Sequence, residues 1–158
     1  MVMAEHREGQ WRELISEIRR YYHGLVSYNT DKYQEDHVSW WDCVDVISSS
    51  GYYPINQWEQ ELDRIEKTVR KYAKPSFFAE AGCMSKKGFG MVPNNWELQG
   101  KQSLEEQVNW YQSMFDACAK RPWVQGFAMW EWAPQLPDEA EAMADSSYEI
   151  CNKPVQKI

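Results

Sequence analysis

Residues 76–82 read Ser76-Phe77-Phe78-Ala79-Glu80-Ala81-Gly82, and this short stretch decides the fold. Lys74-Pro75 stops whatever precedes it, and the run from Ser76 to Ala79 has the length and composition of a buried strand. A carboxylate, Glu80, stands at its C-terminal end. The same unit recurs on both sides of it: a helical stripe, a stop, a short apolar strand. Upstream, Trp58, Leu62, Ile65, Val69 and Tyr72 keep helical spacing, and Asn56 with Glu59 predicts a capping box at the start. Val44 to Ser48 reads as a strand behind a short helix over His37 to Asp42. A first stripe, Trp11, Leu14, Ile15, Ile18, Tyr21 and Tyr22, lies within Arg7 to Tyr22. Gly24 ends it, and Leu25 to Tyr28 reads as the first strand. Downstream, Ser103 with Glu106 predicts a second capping box before the stripe Leu104, Val108, Tyr111, Phe115 and Cys118. Arg121-Pro122 closes that helix, Val124 to Trp130 reads as a fourth strand, and Lys153-Pro154 opens a last helix.

Strands alternating with amphipathic helices predict a parallel sheet covered by helices, hence an α/β fold in one domain over residues 1–158. About four strands are visible, which is half a barrel or a small open sheet.

Composition narrows the function classes. Hydrophobic residues make up 43% of the 158, too many for a disordered chain. A net charge of −7 without a basic stripe argues against nucleic acid as a partner. No apolar run reaches the length of a membrane span, and the polar start MVMAEHREGQ carries no signal peptide. Cys43, Cys83, Cys118 and Cys151 are widely spaced, so reduced thiols in a cytoplasmic protein are expected. His6, His23 and His37 lack metal spacing, and Gly88-Phe89-Gly90 lacks the third glycine of a dinucleotide loop; no cofactor or metal is expected. Nine Trp and nine Tyr are unusual for this length. Either they form a bulky interior, or some line a groove that stacks the flat faces of sugar rings.

Ligands of parallel α/β folds collect at the C-terminal ends of the strands. There the sequence places Tyr28 and Asn29, Tyr52 and Tyr53, Glu80, and then Trp130, Glu131 and Trp132, with Trp96 in the long loop between Gly82 and Gln102. This is a rim of aromatics around a carboxylate. A Glu behind two Phe is costly to bury unless a cation or hydrogen-bond donors meet it. Tyrosine hydroxyls would keep it ionised, which suits a nucleophile; a neighbouring Lys or Arg would make it structural. Glu131, between two tryptophans, reads as structural or as part of the rim. Asp42 and Asp45 flank a strand start and read as structural.

Three runs carry a family resemblance: WWDCVDVISSSGYYPINQW (residues 40–58), KPSFFAEAGCMS (74–85) and WVQGFAMWEWAP (123–134). In order and content they resemble strands six to eight of clan A retaining glycoside hydrolases, most of all the family 113 β-mannanases and the relatives labelled 1,4-β-xylanase or mannosidase. The resemblance implies half of a (β/α)8 barrel, strands five to eight. It implies a nucleophile at Glu80, an aromatic touching it at Tyr52 or Tyr53, and a sugar-flooring Trp130. The acid/base of such enzymes ends strand four, and MVMAEHRE resembles the segment just after it. Glu5 then belongs to a helix entrance, where a carboxylate offsets the dipole. The implied function is a half-barrel form of a retaining β-1,4-glycoside hydrolase acting on mannan- or xylan-type oligosaccharides, feeble without its acid/base. The alternative is a non-catalytic carbohydrate-binding or self-assembling module. Two open sheet edges predict a homodimer or a complementing N-terminal half-barrel as partner.

Overall fold

The computed structural model describes residues 6–158. Four parallel strands, β1 (Ser27–Thr30), β2 (Val46–Ser50), β3 (Ser76–Ala81) and β4 (Val124–Met129), form one sheet in the order β1-β2-β3-β4. Helices α1 (Glu8–Arg19), α2 (Trp58–Tyr72) and α3 (Leu104–Cys118) precede β1, β3 and β4. A 3-10 turn at Trp41–Cys43 leads into β2, and a short α4 (Glu139–Ala144) and a 3-10 turn at Pro154–Lys157 close the chain. This is the expected alternation and the half-barrel order.

One face of the sheet packs on the helices. Ile47 and Phe78 are fully buried there. Phe78 stacks on Phe127 at 6.0 Å between centroids and meets Trp58 edge-on at 5.5 Å, while Trp58 meets Trp110 at 5.4 Å. Each such ring pair contributes about 0.5–1.5 kcal/mol beyond area burial, so Trp58 is the node that fastens α2 and α3 to β3. The opposite, concave face carries Ser27, whose hydroxyl lies 2.5 Å from that of Ser48, then Asn29 bonded to Ser50, and Phe77, which approaches Gly126 so closely that a Cβ there would meet its ring at 3.1 Å.

Several boundaries differ from the sequence expectation, each for a local reason. The first strand starts two residues late: Leu25 is 76% exposed, because the parallel pairing of Ser27 with Val46 sets where the ladder begins. The second strand likewise runs from Val46 rather than Val44. Tyr21 and Tyr22 fall beyond α1 and are exposed. Asn56 does not cap α2; Gln57 occupies that position without a side-chain bond. Ala73, at φ 51°, ends the helix in the left-handed conformation that glycine usually takes. Ser103 does cap α3 by accepting from Glu106 N–H, but the Glu106 carboxylate accepts from Gly90 N–H instead of returning to Ser103. The capping box lies at α4, where Asp138 and Glu141 exchange both bonds. The buried stripe of α3 is Gln107, Trp110, Tyr111, Met114, Ala117 and Cys118, rotated from the expected one by its two most buried rings.

The two aspartates before β2 are structural, as expected. Asp42 pairs with Arg12, while Asp45 pairs with Arg19 and accepts from Val26 N–H, which ties α1 to the sheet. The guanidinium beside each holds both carboxyls below the usual range. All four cysteines are free thiols.

Candidate active site

Strict alternation along β3 would put Glu80 on the same face as Phe78, inside the aromatic core. It does not go there. Ser49 pairs with Phe78 and the next residue, Ser50, pairs with Glu80, so one residue of β3 is skipped. The burial pattern from Ser76 to Ala81 slips phase at the same point. Such a bulge turns the following side chains over. Glu80 thereby reaches the concave side, at the C-terminal end of the sheet, beside Ser50.

Two adjoining hollows meet at Glu80. The tighter, about 180 Å³, is lined by Tyr52, Glu80, Asn94, Trp96, Trp130 and Tyr148. The more open, about 310 Å³, shares Tyr52, Glu80, Asn94 and Trp96 and adds Asn29, Asp31, Lys32 and Ser50. One is walled by rings and the other by hydroxyl, amide and charged groups. Rings that stack beside polar groups that fix orientation are the usual equipment of a small-molecule cleft.

Tyr52 is half-buried beside Glu80. Burial, and next to it the negative charge of Glu80 and a hydrogen bond with that carboxylate, push its phenol far above the ordinary range, so it stays a donor. Among the described residues no Lys or Arg forms an ion pair with Glu80. The nearest cation in the lining, Lys32, is held by Tyr52 O at 3.0 Å and Asn94 Oδ1 at 2.8 Å. Its ammonium pKa is lowered by burial.

Of the residues named from sequence, Glu80, Asn29, Tyr52, Trp96 and Trp130 come together around the hollows. Tyr53 does not. It is fully buried, its hydroxyl donates to the buried carboxylate of Glu35, and its ring meets Trp58 edge-on at 5.1 Å. Two successive residues of an extended segment face opposite ways, so only Tyr52 of the pair can face Glu80. Tyr28 does not either. With Ser27 and Asn29 on the concave face, it points to the helices, 4.8 Å from Trp11 and 4.6 Å from Trp40. Trp132 is 54% exposed and outside the lining, and Glu131 is exposed beside it. Glu5 lies outside the described residues.

Sequence reasoning missed Tyr148, Asn94, Lys32, Asp31 and Ser50. Tyr148 comes from the segment after α4, where no periodicity marks it. Its hydroxyl donates to Pro93 O at 2.6 Å and its ring meets Tyr52 edge-on at 6.3 Å, fixing the loop that carries Asn94 and Trp96. Gly82 matters for the opposite wall: a Cβ there would lie 2.2 Å from the Trp130 carbonyl oxygen, so only glycine lets β4 exit this close to β3.

Among the described residues there is no cluster of three or more His, Cys, Asp or Glu able to hold a metal ion. No helix among them is long and apolar enough to cross a membrane.

Residues 1–153 match the family described as Glycoside Hydrolase Family 113. The chain is similar to a solved GH113 β-1,4-mannanase at 55% identity and a TM-score of 0.95, covering 99% of this chain and 51% of that one. It is also similar to the GH113 β-mannanase AaManA from Alicyclobacillus acidocaldarius, solved in complex with ManMIm, at 41% identity and a TM-score of 0.94, covering 99% and 50%. It therefore spans about half the length of these relatives. A β-glucuronidase from Bifidobacterium dentium shares the fold at 16% identity and a TM-score of 0.68, over 96% of this chain and 26% of that one. No curated protein matches the chain significantly.

Proposed function

Since the chain belongs to glycoside hydrolase family 113, we propose that its site performs retaining hydrolysis of β-1,4-linked mannose- or xylose-based oligosaccharides, with Glu80 as nucleophile. The observation that carries the reading is the unpaired Glu80 carboxylate turned by the β-bulge into a ring-walled hollow beside Tyr52. A carboxylate held by a phenol rather than by a cation keeps its nucleophilic lone pairs.

In the proposed mechanism the sugar ring sits against Trp130 and Tyr148. Glu80 attacks the anomeric carbon as the glycosidic bond breaks, forming a glycosyl ester, and the leaving oxygen takes a proton from an acid/base. Water, giving its proton to the acid/base now acting as base, then attacks the same anomeric carbon and frees Glu80 with overall retention. The scheme needs two carboxyl groups about 5 Å apart. Tyr52 stabilises the carboxylate before attack and after release.

The carboxylates lining the two hollows are Glu80 and Asp31, and Asp31 is occupied in accepting from Lys32 N–H. We therefore assign the acid/base to the other half of the barrel, which closes over the concave face whether it lies on the same longer chain or on a second one. Without it, turnover by this unit falls by about 10²–10⁴-fold, the usual share of general acid–base catalysis. A second reading, a sugar-binding module without turnover, draws on the same one-carboxylate hollow.

Calorimetric titration with manno- and xylo-oligosaccharides, run beside an assay on aryl β-glycosides, separates these readings. Hydrolysis lost on Glu80→Gln, on the order of 10⁴-fold, supports the enzyme. Binding without hydrolysis supports the module, and neither binding nor hydrolysis removes both.

A further inference from the structure

The walls of the ring-lined hollow are held in part by residues outside its lining. Trp130 follows β4, where its N–H donates to Ala81 O at 2.7 Å. Beyond it the chain passes through a cis Trp130–Glu131 peptide and leaves the sheet. What holds this departing segment is Glu149. The residue is 5% exposed, and its carboxylate accepts three backbone N–H groups. Oε1 takes those of Ile150 and Cys151, both at 2.8 Å, which closes a local turn. Oε2 takes that of Ala133, 16 positions away in the chain, which ties the turn to the segment just after Trp130.

No ion pair involves Glu149 among the described residues, and the partners of its side chain are these backbone N–H groups. The turn itself is fastened from the other side. Gln107 Nε2, buried on α3, lies 3.3 Å from Tyr148 O and 3.4 Å from Glu149 O, and 2.8 Å from Cys83 O just past β3. Lys153, whose side chain is wholly buried, clamps Asp145, Ser147 O and Ser85. Residues 148 and 149 thus hold two walls at once: Tyr148 is one wall, and Glu149 holds the root of the other.

We infer that Glu149 is a positioning residue for the hollow, acting through the Ala133 N–H to fix where Trp130 stands relative to Glu80. A second-sphere group that orients a contacting residue can matter as much as the contact, because a wall displaced by an ångström no longer meets the sugar face. The inference builds on the functional reading above in assigning Trp130 to a sugar, but the link from Glu149 to Trp130 stands on the geometry.

The two roles of Glu149 can be separated chemically. In Glu149→Gln, the remaining Oε1 can still accept from Ile150 and Cys151, while the amide NH₂ faces the Ala133 N–H and cannot accept from it. The local turn survives and only the link is cut. Ala133→Pro cuts the same link from the other end, since proline has no N–H. The full chain, labelled with 5-fluorotryptophan, gives one fluorine resonance per Trp, and Trp130→Phe assigns that of Trp130. Both link-cutting variants are expected to move or broaden the Trp130 resonance while those of Trp58 and Trp110 stay in place. Each should also weaken mannotriose binding about tenfold by calorimetry. A Trp130 resonance unmoved in a folded variant overturns the inference. Should Glu149→Gln fail to fold, Ala133→Pro decides by the same readout. Wild-type chain that binds no mannotriose counts against the glycosidase reading, and the fluorine spectra then decide this one alone.

Discussion

The two faces of the sheet are made of different materials. Towards the helices, Ile47 lies among rings that interlock, Phe78 stacked on Phe127 and Trp58 edge-on to Phe78 and Trp110, with the buried ones closed to solvent. On the concave side the same strands present Ser27, Ser48, Ser50, the half-buried ring of Phe77 and the glycine it leans on. One face holds the unit together and the other is a small-residue floor, ending at the bulge where Glu80 emerges. Stability and chemistry are therefore carried by alternate residues of the same strands, which makes them separable by substitution.

The largest effect on the helix side is expected from Trp58→Ala. Removing the node of the aromatic cluster should cost about 3–5 kcal/mol, enough to unfold much of the population in a urea titration. Phe78→Ala should follow within that range. A loss below about 1 kcal/mol for either would mean that the packed face does not carry the fold.

Next comes the clamp behind the hollow. Burial alone would raise the Asp145 carboxyl, but bonds from the Lys153 ammonium and Ser147 outweigh it and hold the pKa below its usual value. A depressed folded-state pKa stabilises above the unfolded value near 4 and stops doing so as pH falls through the folded one. Lys153→Met removes hydrogen bonds to a charged group and should lower stability by about 1.5–3 kcal/mol at pH 7. The gap between the two melting temperatures should narrow as pH drops below about 4. A gap constant from pH 7 to 3 would assign the loss to packing alone.

Ala73→Gly tests a smaller term. Alanine at φ 51° is strained and glycine is not, so the variant should be more stable by about 0.5–1 kcal/mol in the same titration. The mildest change is expected on the concave face, where Phe77→Ser should cost less than about 1 kcal/mol. If it costs as much as Phe78→Ala, the concave face is covered in solution, and sedimentation should then find more than one copy together.

This contrast also explains what could be read in advance. Helical spacing and stops placed α2, β3 and β4 closely, because burial of one stripe is written in residue types. The strand ladder is not: β1 and β2 start where parallel partners meet, and no local signal at Leu25 or Val44 announces that. Glu80 stands out in the sequence as the candidate carboxylate, yet its orientation depends on a bulge that the run Phe78-Ala79-Glu80 does not advertise. Tyr52 and Tyr53 look equivalent in sequence, and it is the second that turns inward to Trp58 and the buried Glu35. Tyr148 and Lys32 enter the site through long-range bonds to Pro93 and to Tyr52 and Asn94, which periodicity cannot foretell.

One position governs how far this pocket can be remodelled. At Gly82 the Trp130 carbonyl fills the place a methyl group would need. The spacing between Glu80 and Trp130 is thus determined by an atom the chain does not have. Any substitution there pries the two exits apart before it can offer a new contact. Enlarging the hollow must therefore go through the turn bearing Asn94 and Trp96 and leave Gly82 alone.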